Sequence, residues 1–171
     1  MSPPEDKAGA DGSAELAFGD AIDMSTFEQI LEMDDPGSDE FSSSIVFGFF
    51  TQAQETFENM ESALCRSSQG KEADLFMAGK RAEKNLKTLS DLGHFLKGSS
   101  ATLGLIKVRD GCEKIQRYGK NENLDGSSEP DSELCFKRIT EALKTVKADY
   151  EDVEKRLKAY YDKGESKDDD A

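Results

Sequence analysis

Hydrophobic residues return at every third or fourth position along most of this chain, and that spacing predicts amphipathic helices. The pattern predicts five helices, of which the first is short and the other four are longer. It also predicts an extra helical piece directly before the third helix of the chain. The first helix runs from near Ser25 to Met33, and the second from near Asp39 to about Ser67. The extra piece lies at 72–79, and the third helix runs from about Ala82 to Leu103. The fourth runs from Leu105 or Ile106 to about Tyr118, and the last begins at Asp131 or Ser132. No stretch alternates apolar and polar residues as a half-buried strand does.

The apolar faces of these helices supply the candidate core. On the second helix the face comprises Phe41, Ile45, Phe49, Ala53, Phe57, Met60 and Leu64. On the third it comprises Leu86, Leu89, Gly93, Leu96, Ser100 and Leu103, on the fourth Leu105, Val108, Cys112 and Ile115, and on the last Phe136, Ile139, Leu143, Val146, Tyr150, Val153, Leu157 and Tyr160. Val46, Phe47 and Phe50 widen the apolar surface of the second helix, so a second cover is needed, and the short first helix could supply it.

The links between the predicted helices are short, which indicates antiparallel neighbours. Gly104 falls between the third and fourth helices and predicts a helical hairpin, and a polar loop at 119–130 precedes the last helix. The expected fold is therefore all-α, an antiparallel four-helix bundle with a short N-terminal helix covering one end. The bundle is predicted to span residues 21–163, between a disordered tail at 1–20 and a loose acidic tail at 164–171.

The charge of the chain narrows the classes of partner. Its 36 acidic and 22 basic side chains give a net charge of −14, which would repel a nucleic-acid backbone and an anionic membrane surface. No apolar run reaches about 18 residues, and the N-terminus lacks the basic and apolar regions of a secretory signal. Neither nucleic-acid binding nor membrane insertion is expected.

The cysteines indicate a reducing compartment. Cys65, Cys112 and Cys135 are odd in number, lie on or near apolar faces and lack the spacing of a metal site. They are predicted to be buried thiols. The cytoplasm is the expected location, and a mass of 18.8 kDa also allows diffusion into a nucleus. No metal site or resident cofactor is expected.

His94 is the single histidine of the chain. At about 100° per residue it lies roughly 150° from the middle of the apolar face of its helix, so its ring points to water or to a partner. Lys97, Gly98 and Ala101 share that outer face. A cation and two very small residues therefore surround an exposed nucleophilic ring.

This arrangement suits a histidine that carries a phosphoryl group. Lys97 can neutralise phosphoryl oxygens, and Gly98 removes the side chain that would block a partner. Gln116 or Ser99 could hydrogen-bond one ring nitrogen and so orient the other. A lone surface histidine is most often an ordinary polar residue, and Gly98 alone could serve helix packing. The combination favours phosphotransfer because Gly98 points away from the core.

The segment His94-Phe95-Leu96-Lys97-Gly98-Ser99-Ser100-Ala101 resembles the signature of histidine-containing phosphotransfer proteins, and most closely that of the fungal phosphorelay intermediates. The resemblance continues through 103–105 and 112–116, and upstream at 28–35 and 52–57, so it covers about residues 24 to 160. It implies that His94 is phosphorylated. It also implies that Lys97 and Gly98 support transfer and that Gln116 and Ser99 orient the ring.

The function expected from this resemblance is a two-step relay. A receiver-domain aspartyl phosphate of a hybrid sensor kinase would pass its phosphoryl group to His94, and the receiver domain of a response regulator would then take it. The chain has no Gly-rich phosphate loop, so direct phosphorylation by ATP is not expected. Any Mg²⁺ is expected on the partner receiver, since no carboxylate cluster accompanies the histidine. A phosphocarrier that acts as a monomer is the expected form.

Two alternatives and one interface stay open at this stage. The bundle could be a non-catalytic adaptor that binds receiver domains, or the dimerisation domain of a histidine kinase, although no ATP-binding domain follows it in this sequence. Phe27, Ile30 and Leu31 of the first helix are candidates for the apolar part of a docking surface. The opposite reading is that all three face the core.

Overall fold

The computed structural model describes residues 19–68 and 75–168. After a 3-10 turn at Gly19–Ala21, these residues form five α-helices. They are α1 (Met24–Leu31), α2 (Glu40–Ser68), α3 (Leu75–Leu103), α4 (Ile106–Gly119) and α5 (Ser132–Asp168). The predicted N-terminal tail up to residue 18, the start of the predicted extra helical piece at 72–74 and the last residues of the predicted acidic tail at 169–171 lie outside the described residues.

The four long helices pack in chain order to form a bundle. α3 lies between α2 and α4, α4 packs along α5, and α5 returns beside α2. The short helix α1 contacts both α2 and α3. This architecture confirms the predicted all-α bundle with an added N-terminal helix. None of the helices in the described ranges is long and apolar enough to cross a membrane.

Two helices are longer than the pattern predicted. α3 runs without interruption from Leu75, so the break expected before Ala82 is absent. Gly79 lies exposed within this helix, and one exposed helical glycine costs only about 1 kcal/mol relative to alanine. At the other end of the chain, α5 continues to Asp168 and takes in residues that were assigned to the acidic tail at 164–171.

The core confirms the predicted faces of α3 and α4, whose residues are all buried. The prediction is wrong for Phe41, which lies in the first turn of α2 and is 43% exposed. Phe47 is 41% exposed and packs against Tyr161 of α5, with 5.9 Å between ring centroids. Tyr161 is buried and Tyr160 only partly so. The covering of the wide apolar surface on α2 is therefore shared with the end of α5.

One cysteine prediction is wrong. Cys112 and Cys135 are buried, as expected, but Cys65 is exposed near the end of α2. Burial raises the pKa of the Cys112 thiol to about 12 and also raises that of Cys135. Both buried thiols therefore stay protonated at neutral pH.

The turn between α3 and α4 anchors α1 at the end of the bundle. Gly104 has a φ of +77°, and its carbonyl accepts a 2.7 Å hydrogen bond from the Asp23 amide. The Asp23 carboxylate in turn caps α1 by accepting from the Ser25 amide at 3.1 Å. Side-chain hydrogen bonds from Ser25 and Thr26 hold the pKa of Asp23 below its ordinary value. α1 is thus fixed next to the α3–α4 connection.

We expect Gly104→Ala to lower the free energy of unfolding by at least about 1 kcal/mol. A left-handed backbone costs a residue with a Cβ about that much, and this Cβ would also lie 2.6 Å from the Asp23 carbonyl oxygen. Urea unfolding followed by circular dichroism measures the change. Gly48→Ala is the matched control, because Gly48 is helical with nothing within 4 Å of an added Cβ. That control should gain about 0.5–1 kcal/mol, and an equal gain in Gly104→Ala would contradict the argument.

Candidate functional site

His94 lies on the exposed side of α3, as its helical position predicts. The residues on the opposite side of the same turns, Gly93 and Leu96, are buried against the rest of the bundle. The ring therefore stands on a helix whose inner face is fixed by the core. A rigid element of this kind holds a reactive side chain more accurately than a loop would.

Gln116 of α4 contacts the ring at one nitrogen, with 3.2 Å between its Nε2 and His94 Nδ1. A half-turn of the amide exchanges its nitrogen and oxygen, so Gln116 can face Nδ1 as donor or as acceptor. When the oxygen faces the ring, Nδ1 carries the proton and the lone pair of Nε2 is free. That tautomer presents a nucleophile to solvent. The structure thus places Gln116 within hydrogen-bonding distance of the ring, and its role in orienting the ring stays a prediction.

Ser99 does not orient the ring. Its hydroxyl donates to the Phe95 carbonyl at 3.3 Å, within α3. Five residues of helix turn the chain by about 500°, which leaves Ser99 roughly 140° away from His94. It lines a shallow groove between α2 and α3 instead, together with Ser44, Ile45, Gly48, Phe49, Gln52, Thr102 and Leu103. The Ser99 prediction is wrong because sequence proximity did not place it on the same face.

Gly98 leaves open space one turn from the histidine. An added Cβ there would meet no atom within 4 Å, so the packing of α3 against its neighbours does not require a glycine at position 98. Lys97 is half-buried, and among the described residues no carboxylate forms an ion pair with it. The site thus combines an uncommitted cation with unobstructed access to the ring.

Phe95 is a feature that sequence reasoning missed. It directly follows His94 and is 50% exposed. A large aromatic side chain on the outer side of an otherwise polar helix face was the available signal. An exposed ring of this size next to a reactive group is typical of a protein contact surface.

The predicted docking role of Phe27 and Ile30 is wrong. Phe27 is fully buried, with its ring centroid 6.3 Å from that of Tyr160, and Ile30 is 7% exposed. Leu31 is partly buried and packs against the core. The short helix uses its apolar face to cover the bundle, so little of that face remains for a partner. Met33, just beyond α1, is 65% exposed instead.

Within residues 19–68 and 75–168, no three His, Cys, Asp or Glu side chains come together as a metal site. The groups that the site does bring together are an exposed imidazole, an amide at Nδ1 and a neighbouring ammonium group. These groups suit transfer of an anionic group to and from Nε2.

The model of one protein family, the Hpt domain, matches residues 45–155. This chain belongs to the Hpt family. The match contains every helix that contributes to the site, including His94 and Gln116, and it confirms the resemblance seen in the sequence.

Curated relatives of this Hpt protein are fungal phosphorelay components. The multistep phosphorelay regulator 1 of Schizosaccharomyces pombe is 43% identical over 146 residues, which are 85% of this chain and 44% of the relative. The phosphorelay intermediate protein YPD1 of Candida albicans is 40% identical over 104 residues, 61% of this chain and 47% of the relative. The chain spans about half the length of the curated relatives it matches.

Solved structures of the Saccharomyces cerevisiae phosphorelay protein Ypd1 share the fold of this Hpt protein. One crystal structure gives a TM-score of 0.64 at 26% identity and covers 83% of this chain and 95% of that one. Another holds Ypd1 together with the receiver domain of its downstream response regulator Ssk1, with a TM-score of 0.63, 28% identity and the same coverage. The helical-bundle prediction agrees with both.

Proposed function

We propose that this protein is the histidine phosphotransfer intermediate of a multistep phosphorelay. The observation that carries the proposal is the exposed His94 ring, held at Nδ1 by Gln116 and bordered by the open space above Gly98. A partner's active site can close over Nε2 because position 98 has no side chain in the way. The family to which the chain belongs supports the same assignment.

The transfer uses the two ring nitrogens for different purposes. The lone pair of Nε2 attacks phosphorus in a receiver's aspartyl phosphate, the bond from phosphorus to the carboxyl oxygen breaks, and the aspartate leaves as a carboxylate. Nδ1 keeps its proton throughout and donates a hydrogen bond to the amide oxygen of Gln116, which stabilises the positive ring that forms. Onward transfer reverses these events with a second receiver's aspartate as nucleophile.

Lys97 supplies the positive charge that the step requires. The phosphoryl oxygens are negatively charged, and the chain that accepts them already has a formal net charge of −14, so the two repel each other. An ammonium one helical turn from the ring offsets that repulsion locally, and within 19–68 and 75–168 no carboxylate pairs with it. The receiver is the proposed source of Mg²⁺, because the described residues offer no carboxylate cluster to hold it.

The proposed partners are the receiver domains of a hybrid sensor kinase and of response regulators. Saccharomyces cerevisiae Ypd1 has been solved with a receiver domain bound, which supports this class of partner. On this chain the contact surface would include Phe95, Gly98 and the groove between α2 and α3 lined by Ser99. We propose that the protein acts as a monomer in the cytoplasm, with access to the nucleus.

The direct test is phosphoryl transfer from isolated receivers. A panel of receiver domains is phosphorylated with acetyl phosphate, freed of it and mixed with the protein, and the phosphate on each chain is followed over time. The expected result is rapid gain of an acid-labile, base-stable phosphate by this protein and its loss to a second receiver. Receiver binding without any such gain would overturn the proposal and leave an adaptor.

Lys97→Gln should slow transfer about tenfold while receiver affinity changes little. Loss of one preorganised group at a reacting centre typically costs two to three orders of magnitude, and solvent screening at this exposed site reduces the expected effect to about tenfold. Single-turnover transfer and titration of an unphosphorylated receiver measure the two quantities. Lys87→Gln is the control, since Lys87 lies exposed on the same helix two turns away from His94. Equal slowing in both variants would show a general charge effect.

A further inference from the structure

The backbones of α3 and α4 lie close together beside the reactive histidine, as they also do at Gly119 near the other end of α4. A Cβ built on Gly93 would lie 2.9 Å from the Cys112 carbonyl oxygen and 3.0 Å from the Gln116 amide nitrogen. Both are backbone atoms of α4, so no change of side-chain conformation could make room. Gly93 is also buried. The two helix backbones are therefore in contact at the residue preceding His94.

This contact involves both partners of the ring hydrogen bond. Gly93 is the chain neighbour of His94, and one of the atoms that it touches is the backbone nitrogen of Gln116 itself. We propose that Gly93 is a positioning residue, whose missing side chain permits the local α3–α4 separation at which Gln116 reaches Nδ1. The proposal rests on the phosphotransfer function proposed above, because it assigns a cause to the orientation of the transferring ring.

The distances show how little separation the hydrogen bond tolerates. A Cβ at 2.9 Å from the Cys112 oxygen needs about 0.5 Å more to reach ordinary contact, which begins at 3.4 Å. The same displacement would stretch the 3.2 Å contact between Gln116 and His94 to about 3.7 Å, past the limit of about 3.5 Å for a hydrogen bond. An alanine at position 93 would thus release the ring.

The test measures directly which nitrogen of the His94 ring carries the proton. His94 is the single histidine, so its ring nitrogens give the only imidazole signals in a long-range ¹H–¹⁵N spectrum. Wild type should show one dominant neutral tautomer, with the proton on Nδ1. Gln116→Ala supplies the spectrum of a ring without its partner. We expect Gly93→Ala to show the Gln116→Ala tautomer ratio and to transfer phosphate about tenfold more slowly at saturating receiver, with the half-saturating concentration unchanged.

Gly111→Ala is the matched packing control. Its Cβ would lie 2.0 Å from Cγ2 of Val146 on α5, so it disturbs α4 without pressing on α3. It should lower the melting temperature yet leave the tautomer ratio of His94 as in wild type. If Gly93→Ala is unfolded in buffer, the spectrum is taken in trimethylamine N-oxide, which favours the folded state.

Three outcomes would overturn the proposal. These are a wild-type tautomer ratio in folded Gly93→Ala, the same tautomer change in Gly111→Ala, and a Gly93→Ala chain that stays unfolded even with the osmolyte, since the glycine would then serve the whole fold. The tautomer measurement needs no phosphate. Failure of wild type to accept phosphate would therefore defeat the proposed function, while the spectra alone decide the role of Gly93.

Discussion

His94→Gln should abolish phosphoryl transfer, with a loss of at least about 1000-fold in the rate of phosphate incorporation from a phosphorylated receiver. The amide of glutamine is similar in size and polarity, but its nitrogen has no available lone pair, so no covalent intermediate can form. The measurement is acid-labile phosphate on the chain after mixing with a phosphorylated receiver.

The same variant should fold and dock normally. His94 is exposed, and its hydrogen bond to Gln116 lies at the surface, so the free energy of unfolding should change by less than about 0.5 kcal/mol. Circular dichroism and titration with an unphosphorylated receiver check these two points. Transfer that persists in His94→Gln would place the acceptor elsewhere and remove the central assignment.

Gly98→Gln should separate stability from activity. Glycine inside an exposed helix is unfavourable, and an added side chain here meets no atom within 4 Å, so the variant should gain about 0.5–1 kcal/mol in the free energy of unfolding. Transfer should nevertheless slow about 100-fold, because the new side chain occupies the space through which a receiver approaches Nε2. Thermal unfolding and single-turnover transfer measure the two effects.

Gly79→Gln is the control for Gly98→Gln. Gly79 lies on the same helix, is exposed and also has nothing within 4 Å of an added Cβ. It should gain similar stability and keep the wild-type rate. Unchanged transfer in Gly98→Gln would show that the open space beside the ring has no steric purpose.

The helical periodicity predicted the bundle because each long helix buries one face. That face is unambiguous on α3, where Leu89 and Leu96 alternate with charged residues, and it fixed the outward direction of His94 at the same time. Phe27 and Ile30 were harder to place, because a short apolar helix can cover a core or meet a partner with the same residues. Only their packing against neighbours such as Tyr160 decides between the two.

The site was predictable to the extent that it lies on one helix. Lys97 and Gly98 follow from their spacing to His94, whereas the choice between Gln116 and Ser99 depended on how α4 lies against α3. That relation depends on close backbone contacts at Gly93 and Gly119, and the sequence shows Gly93 only as a small residue on an apolar face. The continuity of α3 across residues 80–81 and the extension of α5 to Asp168 were missed, because the polar residues there show no apolar periodicity.

The unequal burial of the three thiols gives the protein a built-in point for labelling. A maleimide reacts with thiolates, which the high pKa of Cys112 and the burial of Cys135 suppress. Cys65 is exposed at the end of α2 remote from the Gly104 turn. A fluorophore would therefore attach at one known position of the folded chain, away from the histidine. Energy transfer between it and a labelled receiver would then report binding, without any engineered cysteine.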